Sequence, residues 1–396
     1  MKAVLTSLGS VGDIQPMLAL GCELQSAGHD VILALSPNYE SRAADVGIPF
    51  APMGPLMPQE MVRSVITQQT AMEASSDQAR HFLNVVMPYI PEIFTELRAI
   101  CVGADVLIST PHQIASRMVH DVSGIPFCTI HLAHFGALGS IGLKSATAPV
   151  INRHREGLGL PVLDDPLTKD ATSPQLALYA VTSRILKRPK NWPPHHYVTG
   201  FFYLEEDWTP PDELVRFLLA GPPPVVVSFS SMMYDDSDRV TDILLAALER
   251  LACRAVILSG WADLTYDRPL PSTVLCLEGF IPHGWLFPRA EILVHHGGAG
   301  TTAAAFRSGV PAVIVPHMLD QPIWAEFARA LGCAGPAIPI QKLSAERLAD
   351  ALRATMENTA MKSAAQRLAH DISGENGIVI ARKRIEELVE KCARSY

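Results

Sequence analysis

A glycine-rich turn between an apolar run and a small-residue segment is the part of this chain best suited to chemistry. The run 292–294 predicts a buried strand, the turn 295–302 reads His-His-Gly-Gly-Ala-Gly-Thr-Thr, and the alanines at 303–305 favour a helix. A strand, a glycine turn and a helix in this order direct backbone N–H groups and the positive end of the helix at a phosphate. The two histidines and two threonines add side-chain donors for the same oxygens. We therefore expect a nucleotide diphosphate site at this turn.

An acid and an amide follow the next predicted strand, 312–315. Asp320 and Gln321 stand in a loop with a proline on either side. A carboxylate and an amide near bound phosphates are suited to hold neighbouring hydroxyls of a sugar. The alternative role for Asp320 is to cap the loop.

A lone carboxylate, Asp13, stands in a second glycine-rich loop near the N-terminus. The run 3–8 predicts a buried strand, and Pro16 is expected at the first position of the helix that follows. A carboxylate at the carboxyl end of such a strand faces the crevice of an open sheet, where it can take a proton from an attacking hydroxyl. The alternative is that Asp13 is the N-cap of a helix beginning near Ile14. Ser10 is expected to orient Asp13 or to touch the acceptor.

The composition indicates a globular enzyme of two domains. Of the 396 residues 48% are hydrophobic and 18% charged, and the chain is too long for one ordinary core. The net charge of −8 argues against a nucleic-acid partner. The seven cysteines lack paired metal-ligand spacing, which gives no zinc site and fits a reducing cytosol. No signal peptide or membrane span is recognised, so we expect a cytoplasmic protein.

Alternating strands and helices predict parallel, doubly wound sheets in both halves of the chain. Proline-dense segments at 187–194 and 208–211 predict an interdomain linker. We therefore expect an N-terminal domain over 1–205 and a C-terminal domain over 206–376. The segment 377–396 predicts a helix that packs back on the first domain. Its basic residues indicate a solvated face, with peripheral membrane contact as the alternative.

Several motifs along nearly the whole chain carry a resemblance to a known family. They are Gly-Ser-Val-Gly-Asp-Ile-Gln-Pro at 9–16, Asn-Trp-Pro at 191–193, Val-Thr-Gly-Phe at 198–201, Gly-Pro-Pro-Pro-Val at 221–225, Pro-His-Gly-Trp-Leu-Phe at 282–287, and the turn at 295–302 with Asp-Gln-Pro at 320–322. The chain resembles the GT-B glycosyltransferases, above all sterol glucosyltransferases and bacterial glycopeptide and antibiotic glycosyltransferases. The resemblance implies two Rossmann-like domains facing a central cleft.

The resemblance also implies roles for single residues. Asp13 is the general base, His296 holds the donor pyrophosphate, and Asp320 and Gln321 bind the sugar. The remaining donor-binding positions are Ser231, Phe280, Ile281, His283, Gly298, Ala299, Gly300 and Thr301. His295 is expected to close the strand and pack.

The sequence departs from the family pattern at two donor positions. Ser230 stands where relatives have a glycine, and its side chain is expected to crowd the approach to Ser231. Ala304 replaces the glutamate that holds the ribose in plant relatives, which leaves UDP and dTDP both open.

The implied reaction is an inverting transfer of a hexose, most simply glucose, to a small apolar molecule that bears a hydroxyl. No metal or other cofactor is expected, and the oligomeric state stays open. Met57 and Met61 in a methionine-rich span, with His131 and His134, are candidate acceptor contacts; the alternative is that they are core residues.

Three other functions compete with this interpretation. The residues 298–303 also satisfy G-x-G-x-x-A, a dinucleotide fingerprint typical of NAD-dependent oxidoreductases. A sugar-nucleotide epimerase and a non-catalytic helper of another glycosyltransferase are the other two. The Asp-x-Asp within 235–238 resembles a metal motif, but it precedes a predicted helix and favours N-capping.

Overall fold

The computed structural model describes residues 1–133, 141–205, 207–260, 264 and 270–394. Their contacts divide the chain into two compact units. The N-terminal unit comprises Met1–Val65, Met72–Leu204 and Glu375–Tyr396. The C-terminal unit comprises Ile66–Ala71 and Glu205–Gly374.

Seven parallel strands form the sheet of the N-terminal unit, in the order β3-β2-β1-β4-β5-β6-β7. Their bounds are β1 Lys2–Thr6, β2 Asp30–Leu35, β3 Phe50–Pro52, β4 Val106–Ser109, β5 Phe127–His131, β6 Leu176–Tyr179 and β7 His196–Val198. The helices of this part of the chain are α1 Val11–Ser26, α2 Glu40–Asp45, α3 Gln59–Ala71, α4 Ser75–Val86, α5 Ile90–Ile100, α6 Ile114–Ser123, α7 Ile141–Gly157 and α15 Gly377–Ala393.

Five parallel strands form the sheet of the C-terminal unit, in the order β10-β9-β8-β11-β12. Their bounds are β8 Val225–Ser228, β9 Ala255–Leu258, β10 Val274–Leu277, β11 Ile292–His295 and β12 Ala312–Ile314. The helices are α8 Asp212–Leu219, α9 Ser237–Arg250, α10 His283–Leu286, α11 Ala299–Ser308, α12 Gln321–Ala330, α13 Ala345–Glu357 and α14 Thr359–Ile372. The predicted doubly wound parallel sheets are confirmed.

Both faces of the N-terminal sheet are buried, as a parallel sheet requires. Ala3 and Leu5 pack in a cluster with α1 and α15, whereas Val4 packs in a second cluster with α5 and α6. Successive side chains of a strand point to opposite faces, so β1 is covered on both. For this reason polar and apolar residues do not alternate along β1.

The last helix, α15, packs in the N-terminal unit. Its Ala381 and Ile385 are fully buried in the cluster that also contains residues of α1. The Nε of Arg382 lies 2.8 Å from a carboxylate oxygen of Glu23 on α1. The guanidinium of Arg384 lies 4.1 Å from the ring centroid of Tyr197. Two of the basic residues of the segment 377–396, Arg382 and Arg384, thus contact other parts of the protein.

Two local predictions are wrong. Helix α1 begins at Val11, so Pro16 lies inside the helix and not at its first position. The helix starts earlier because Ser10 is its N-cap, with Asp13 three residues on as its capping-box partner. The proline-rich segment 187–194 is also not an interdomain linker, because β7 follows it and pairs with β6 in the N-terminal sheet. The boundary between the units falls at Leu204 and Glu205.

Among the described residues, no helix combines the length and the apolar composition needed to cross a membrane.

Candidate active site

Each sheet reverses its strand order at one place, and candidate residues follow the strands there. In the N-terminal sheet the reversal lies between β1 and β4, and Asp13 comes soon after β1. In the C-terminal sheet it lies between β8 and β11, which Ser231 and His296 follow. Loops leaving neighbouring strands in opposite directions open a crevice at such a point, and ligands of open α/β sheets bind there. The topology therefore supplies a candidate site in each unit.

Asp13 is held by hydrogen bonds at the start of α1. Its Oδ2 accepts the backbone N–H of Ser10 at 2.8 Å and the hydroxyl of Ser10 at 3.2 Å. Ser10, and not Asp13, is the N-cap residue, so the N-cap alternative for Asp13 is wrong in that form. Asp13 therefore stabilises the start of α1 as the capping-box partner of Ser10, and the two hydrogen bonds from Ser10 orient its carboxylate.

The surroundings of Asp13 raise the pKa of its carboxyl group to about 6, because burial removes water from the charged form. The hydrogen bonds from Ser10 act in the opposite direction and lower it. A carboxylate with a pKa near neutrality is mostly ionised at pH 7 and is a stronger base than an ordinary aspartate.

The glycine-rich turn leaves the N-terminus of α11 open. Its N-cap is Gly298, which supplies no side chain, and the first helical bond runs from the N–H of Thr302 to the carbonyl of Gly298. The N–H groups of Ala299, Gly300 and Thr301 precede that bond and have no acceptor within the helix. They form the anion-binding end of the helix.

His296 lies against this helix end. Only 5% of the residue is exposed, and its Nδ1 is buried without a hydrogen-bond partner among the described residues. A Cβ at position 298 would approach its Nε2 to 2.3 Å, so only Gly298 admits the ring. Burial lowers the pKa of His296 to about 4, which keeps the imidazole neutral at pH 7.

His295 points into the protein. It is fully buried, and its Nδ1 accepts the N–H of Gly297 at 3.1 Å, which fixes the turn. Burial lowers its pKa to about 3. This arrangement matches the expected packing role.

Two further histidines, the buried His317 and the partly buried His283, complete a cluster around His296. The Nε2 of His283 lies 3.1 Å from the hydroxyl of Ser228, and its ring stacks on Phe287. His317 belongs to none of the motifs named above, and its Nε2 lies 2.6 Å from the hydroxyl of Tyr234. Burial, followed by repulsion from the positive charge that His296 carries when it is protonated, lowers the pKa of His283 to about 4 and that of His317 to about 3. The position of His317 just after β12 is the signal that could have identified it.

Gln321 is oriented by the backbone beside this cluster. Its Oε1 accepts the N–H groups of His317 at 2.7 Å and Met318 at 3.2 Å. Its Nε2 lies 3.5 Å from the sulfur of Met232, which is a weak acceptor. The amide can therefore exchange that sulfur for a better acceptor, such as a hydroxyl.

Asp320 occupies the N-cap position of α12 but makes no side-chain cap bond there. Its Oδ2 instead accepts the indole N–H of Trp324 at 2.9 Å. The side chain of Asp320 therefore does not cap α12, which is the alternative role considered for it. Leu319, immediately before it, has a φ of 52°.

The other donor candidates lie at the expected strand ends. Ser231 is buried after β8, and Ser230 before it has a φ of 53°, which explains the glycine of relatives at this position. Phe280 is 40% exposed, as a ring offered to a ligand would be, whereas Ile281 is buried.

The acceptor candidates differ in their surroundings. Met57 is partly buried and Met61 is 36% exposed, so neither is a core residue, and their neighbour Leu56 is 64% exposed. Methionines Met53 and Met87 of the same span do lie in the core.

Of the two histidine candidates for acceptor contact, His131 is the last residue of β5. His131 is buried, with its ring stacked on Tyr179 at 4.4 Å. His134 lies outside the described residues.

The Asp-x-Asp sequence is a helix start. The carboxylate of Asp236 accepts the N–H of Arg239 at 3.0 Å as N-cap of α9, which confirms the capping interpretation. Among the described residues, no group of three or more histidine, cysteine or acidic side chains is arranged to hold a metal ion.

Comparison with known proteins identifies two domain families. The glycosyltransferase family 28 N-terminal domain matches residues 3–136, and the erythromycin biosynthesis protein CIII-like C-terminal domain matches residues 243–388.

Curated relatives match almost all of this chain. A sterol 3-beta-glucosyltransferase of Arabidopsis thaliana is 28% identical over 97% of this chain and 65% of its own length. The Candida albicans sterol 3-beta-glucosyltransferase is 27% identical, and the match covers 98% of this chain but 28% of that protein. An O-mycaminosyltylonolide 6-deoxyallosyltransferase of Streptomyces fradiae is 29% identical over 98% of both chains. The chain thus spans about two thirds or less of these two sterol enzymes, and nearly all of the Streptomyces enzyme.

Solved structures share the fold. The glycosyltransferase of kitacinnamycin matches with a TM-score of 0.76 and 21% identity over 98% of this chain and 99% of its own. A spinosyn rhamnosyltransferase complexed with thymidine diphosphate matches with a TM-score of 0.72 and 19% identity over 97% and 99%. Together with the two domain families and the curated relatives, these matches place the chain among the glycosyltransferases of the GT-B type, where it is similar to both sterol glucosyltransferases and antibiotic glycosyltransferases.

Proposed function

We propose that this chain transfers a hexose, most simply glucose, from a UDP- or dTDP-sugar to a hydroxyl of a small apolar acceptor. The transfer inverts the anomeric carbon and uses no metal ion. The observation that carries this proposal is the open N-terminus of α11 with the ring of His296 beside it, where a Cβ at position 298 would approach the ring Nε2 to 2.3 Å. A diphosphate would satisfy both the helix N–H groups and the imidazole.

The leaving group is the first chemical requirement. As the bond between sugar and diphosphate breaks, negative charge develops on the phosphate oxygens. Donors already fixed in place stabilise that charge without reorganising, and this is commonly a large part of catalysis. Gly298 and the first turn of α11 supply such donors, and Gly297 is held by His295.

Activation of the acceptor is the second requirement. Asp13, with its pKa raised to about 6, is suited to remove the proton of the attacking hydroxyl. A single base and a direct displacement invert the anomeric carbon, whereas retention by a double displacement uses a second carboxylate as nucleophile.

Sugar and acceptor preferences follow from the same residues. Gln321 offers its amide N–H groups and Asp320 its carboxylate, which suits a sugar with intact hydroxyls. The exposed Leu56 and Met61 support an apolar acceptor, and so does the sterol acceptor in the names of the sterol glucosyltransferase relatives. A deoxy sugar would leave a polar group of the site unpaired, at about 1–3 kcal/mol each.

A donor panel tests the proposal. UDP-glucose, dTDP-glucose, UDP-galactose and a dTDP-dideoxy sugar are incubated with the protein and a set of sterol, polyketide and phenolic acceptors, and the products are followed by mass spectrometry. We expect glucose transfer, and an NMR coupling constant of the product typical of a β-linkage. Preference for the dideoxy donor contradicts the sugar assignment, and an α-linked product contradicts inversion. Epimerised free sugar without transfer would favour an epimerase.

A further inference from the structure

One peptide group connects a tyrosine to the carboxylate of Asp13. The hydroxyl of Tyr39 donates to the carbonyl oxygen of Gly9 at 2.8 Å. The N–H of Ser10 donates to the Oδ2 of Asp13, also at 2.8 Å. The carbonyl of Gly9 and the N–H of Ser10 belong to the same peptide plane. Tyr39 therefore holds, at one end, the peptide that holds Asp13 at the other.

The conformation of Gly9 makes this arrangement possible. Its φ is 140°, and a Cβ at this position would lie 2.2 Å from the Oδ2 of Asp13. The carboxylate thus packs directly over the α-carbon of Gly9, which leaves no room for a side chain. Any rotation of the peptide plane between Gly9 and Ser10 would turn the N–H of Ser10 away from the carboxylate of Asp13.

Tyr39 is itself firmly placed. It lies at the end of a short 3₁₀ turn, Pro37–Tyr39, that follows β2, and only 8% of it is exposed. Burial, followed by the negative charge of Asp13, raises the pKa of Tyr39 above its ordinary value, so its hydroxyl stays protonated. A protonated, buried hydroxyl is a permanent donor to Gly9.

Resting on the proposed role of Asp13 as base, we propose that Tyr39 is a positioning residue that acts on Asp13 through the peptide group between Gly9 and Ser10. The hydrogen bond to the carbonyl polarises the peptide and strengthens its N–H as a donor, because hydrogen bonds in a chain reinforce one another. It also fixes the plane in the orientation that Asp13 requires.

The consequence for proton transfer has a definite sign. The N–H of Ser10 stabilises the charged carboxylate and lowers its pKa against the effect of burial. Removing the Tyr39 hydroxyl weakens that bond, so the pKa of Asp13 rises. Within the described N-terminal unit, Tyr39 is the titratable side chain that faces Asp13, and Ser10 contributes uncharged donors. The base is then protonated over a wider range of pH.

The test compares Tyr39→Phe with the wild-type protein in two measurements. Aspartate labelled with ¹³C at the side-chain carboxyl carbon reports the titration of Asp13 by NMR. The Asp13 resonance is assigned as the one that disappears in Asp13→Asn. The second measurement is the pH profile of kcat/KM for the acceptor at saturating donor. We expect the Asp13 titration and the acid limb of the profile to move together to higher pH, by about 0.5–1 unit. The affinity for nucleoside diphosphate should not change.

The control is Tyr197→Phe, a tyrosine of β7 whose ring lies beside Arg384 in the same unit. It should leave both titrations in place. If Tyr39→Phe does not fold, replacement of Tyr39 by 3-fluorotyrosine keeps the hydroxyl and makes it a stronger donor to Gly9, and it should shift the Asp13 titration in the opposite direction, to lower pH.

Two outcomes separate this inference from the proposed function. An Asp13 titration identical in the wild-type and Tyr39→Phe proteins overturns the positioning role, as does an activity loss of equal size at every pH. If instead Asp13→Asn retains its turnover while Tyr39→Phe shifts the carboxyl titration, the base role fails and the positioning of Asp13 by Tyr39 stands.

Discussion

At the scale of single residues, Asp13 carries opposing demands of stability and reactivity. Burial raises its pKa from the ordinary value of 3.8 to about 6, so at neutral pH the folded protein holds a charge that it solvates less well than water does. A carboxyl group whose pKa is raised on folding lowers the free energy of unfolding above the folded pKa, and this loss disappears below the unfolded pKa. Such a penalty is what a reactive base at a functional site would bring.

Replacing Asp13 with asparagine should therefore separate activity from stability. The variant is expected to retain nucleotide binding and to lose about 10²–10⁴-fold in kcat, because general-base assistance is lost. Its stability at pH 8 should rise by about 1–3 kcal/mol, since the buried charge is gone. Turnover by mass spectrometry and urea denaturation measure the two effects. Asp30→Asn, on the exposed end of β2, is the matched control and should change neither. Near wild-type turnover in Asp13→Asn removes Asp13 from the base role.

The acceptor candidates Met57 and Met61 give a second prediction about residues. Met61→Glu places a charge on an exposed position of α3. It should not unfold the protein, because removing the Met61 side chain opens no cavity in the core. If it lines the acceptor pocket, the acceptor KM should rise about tenfold or more while donor binding stays unchanged. Met57→Glu should behave alike. Met53→Glu, in the core, should instead lower the melting temperature. Unchanged acceptor kinetics in the two folded variants would place the pocket elsewhere.

At the scale of elements, two turns that follow strands hold strained backbone next to candidate donor-binding residues. Ser230 and Leu319 have φ values of 53° and 52°, and each directly precedes a candidate donor residue, Ser231 or Asp320. Residues with side chains avoid this conformation, and where it persists it often marks a functional site. Ala252, the other residue with a side chain and a positive φ in the described part of the chain, follows α9 and lies next to no candidate residue.

Glycine substitutions test whether that strain concerns the donor. Ser230→Gly and Ala252→Gly should each stabilise the protein by about 0.5–1 kcal/mol, because glycine tolerates a positive φ. Only Ser230→Gly should also tighten nucleoside diphosphate binding, since it removes the side chain that crowds Ser231. Thermal denaturation and titration calorimetry measure the two effects. Equal diphosphate affinities in the two variants would contradict the crowding at Ser230.

At the scale of the whole molecule, the histidine cluster around His296 makes stability depend on pH. The four histidines concerned have folded-state pKa values of about 3 or 4, and they are His283, His295, His296 and His317. The unfolded chain has ordinary histidine pKa values near 6.5 and therefore binds more protons than the folded protein between about pH 6.5 and 4. The stabilisation is present above pH 6.5 and is lost as the pH falls.

We therefore expect a steep loss of stability in weak acid. Below pH 6.5 the free energy of unfolding of the C-terminal unit should fall by more than about 1.4 kcal/mol per pH unit, the value for a single such histidine. Differential scanning calorimetry between pH 7.5 and 5 measures it, with separate transitions assigned to each unit where they are resolved. Saturating nucleoside diphosphate should reduce the loss, because a bound anion stabilises the folded state and favours the imidazolium of His296. A melting temperature that does not change between pH 7 and 5 would rule out the neutral cluster.

The amino-acid sequence by itself determined the alternation of elements and the positions of the glycine-rich turns. Apolar runs, glycine and proline act through neighbouring residues, so the strands β1, β11 and β12 and the helix after His296 were predictable. The start of α1 lies several residues before the one that Pro16 predicts, because the capping box of Ser10 and Asp13 begins the helix at Val11.

Only the tertiary structure decided which side chains meet. The contact of Tyr39 with Gly9 joins residues thirty positions apart, and the bond between Tyr234 and His317 joins residues 83 apart. No local pattern encodes such pairs, because they depend on which strands are neighbours in a sheet. The same holds for burial, which sets the pKa of Asp13 near 6 and keeps His296 neutral. Removal of water from a charged group is a property of the packed environment, and the residue type alone does not determine it.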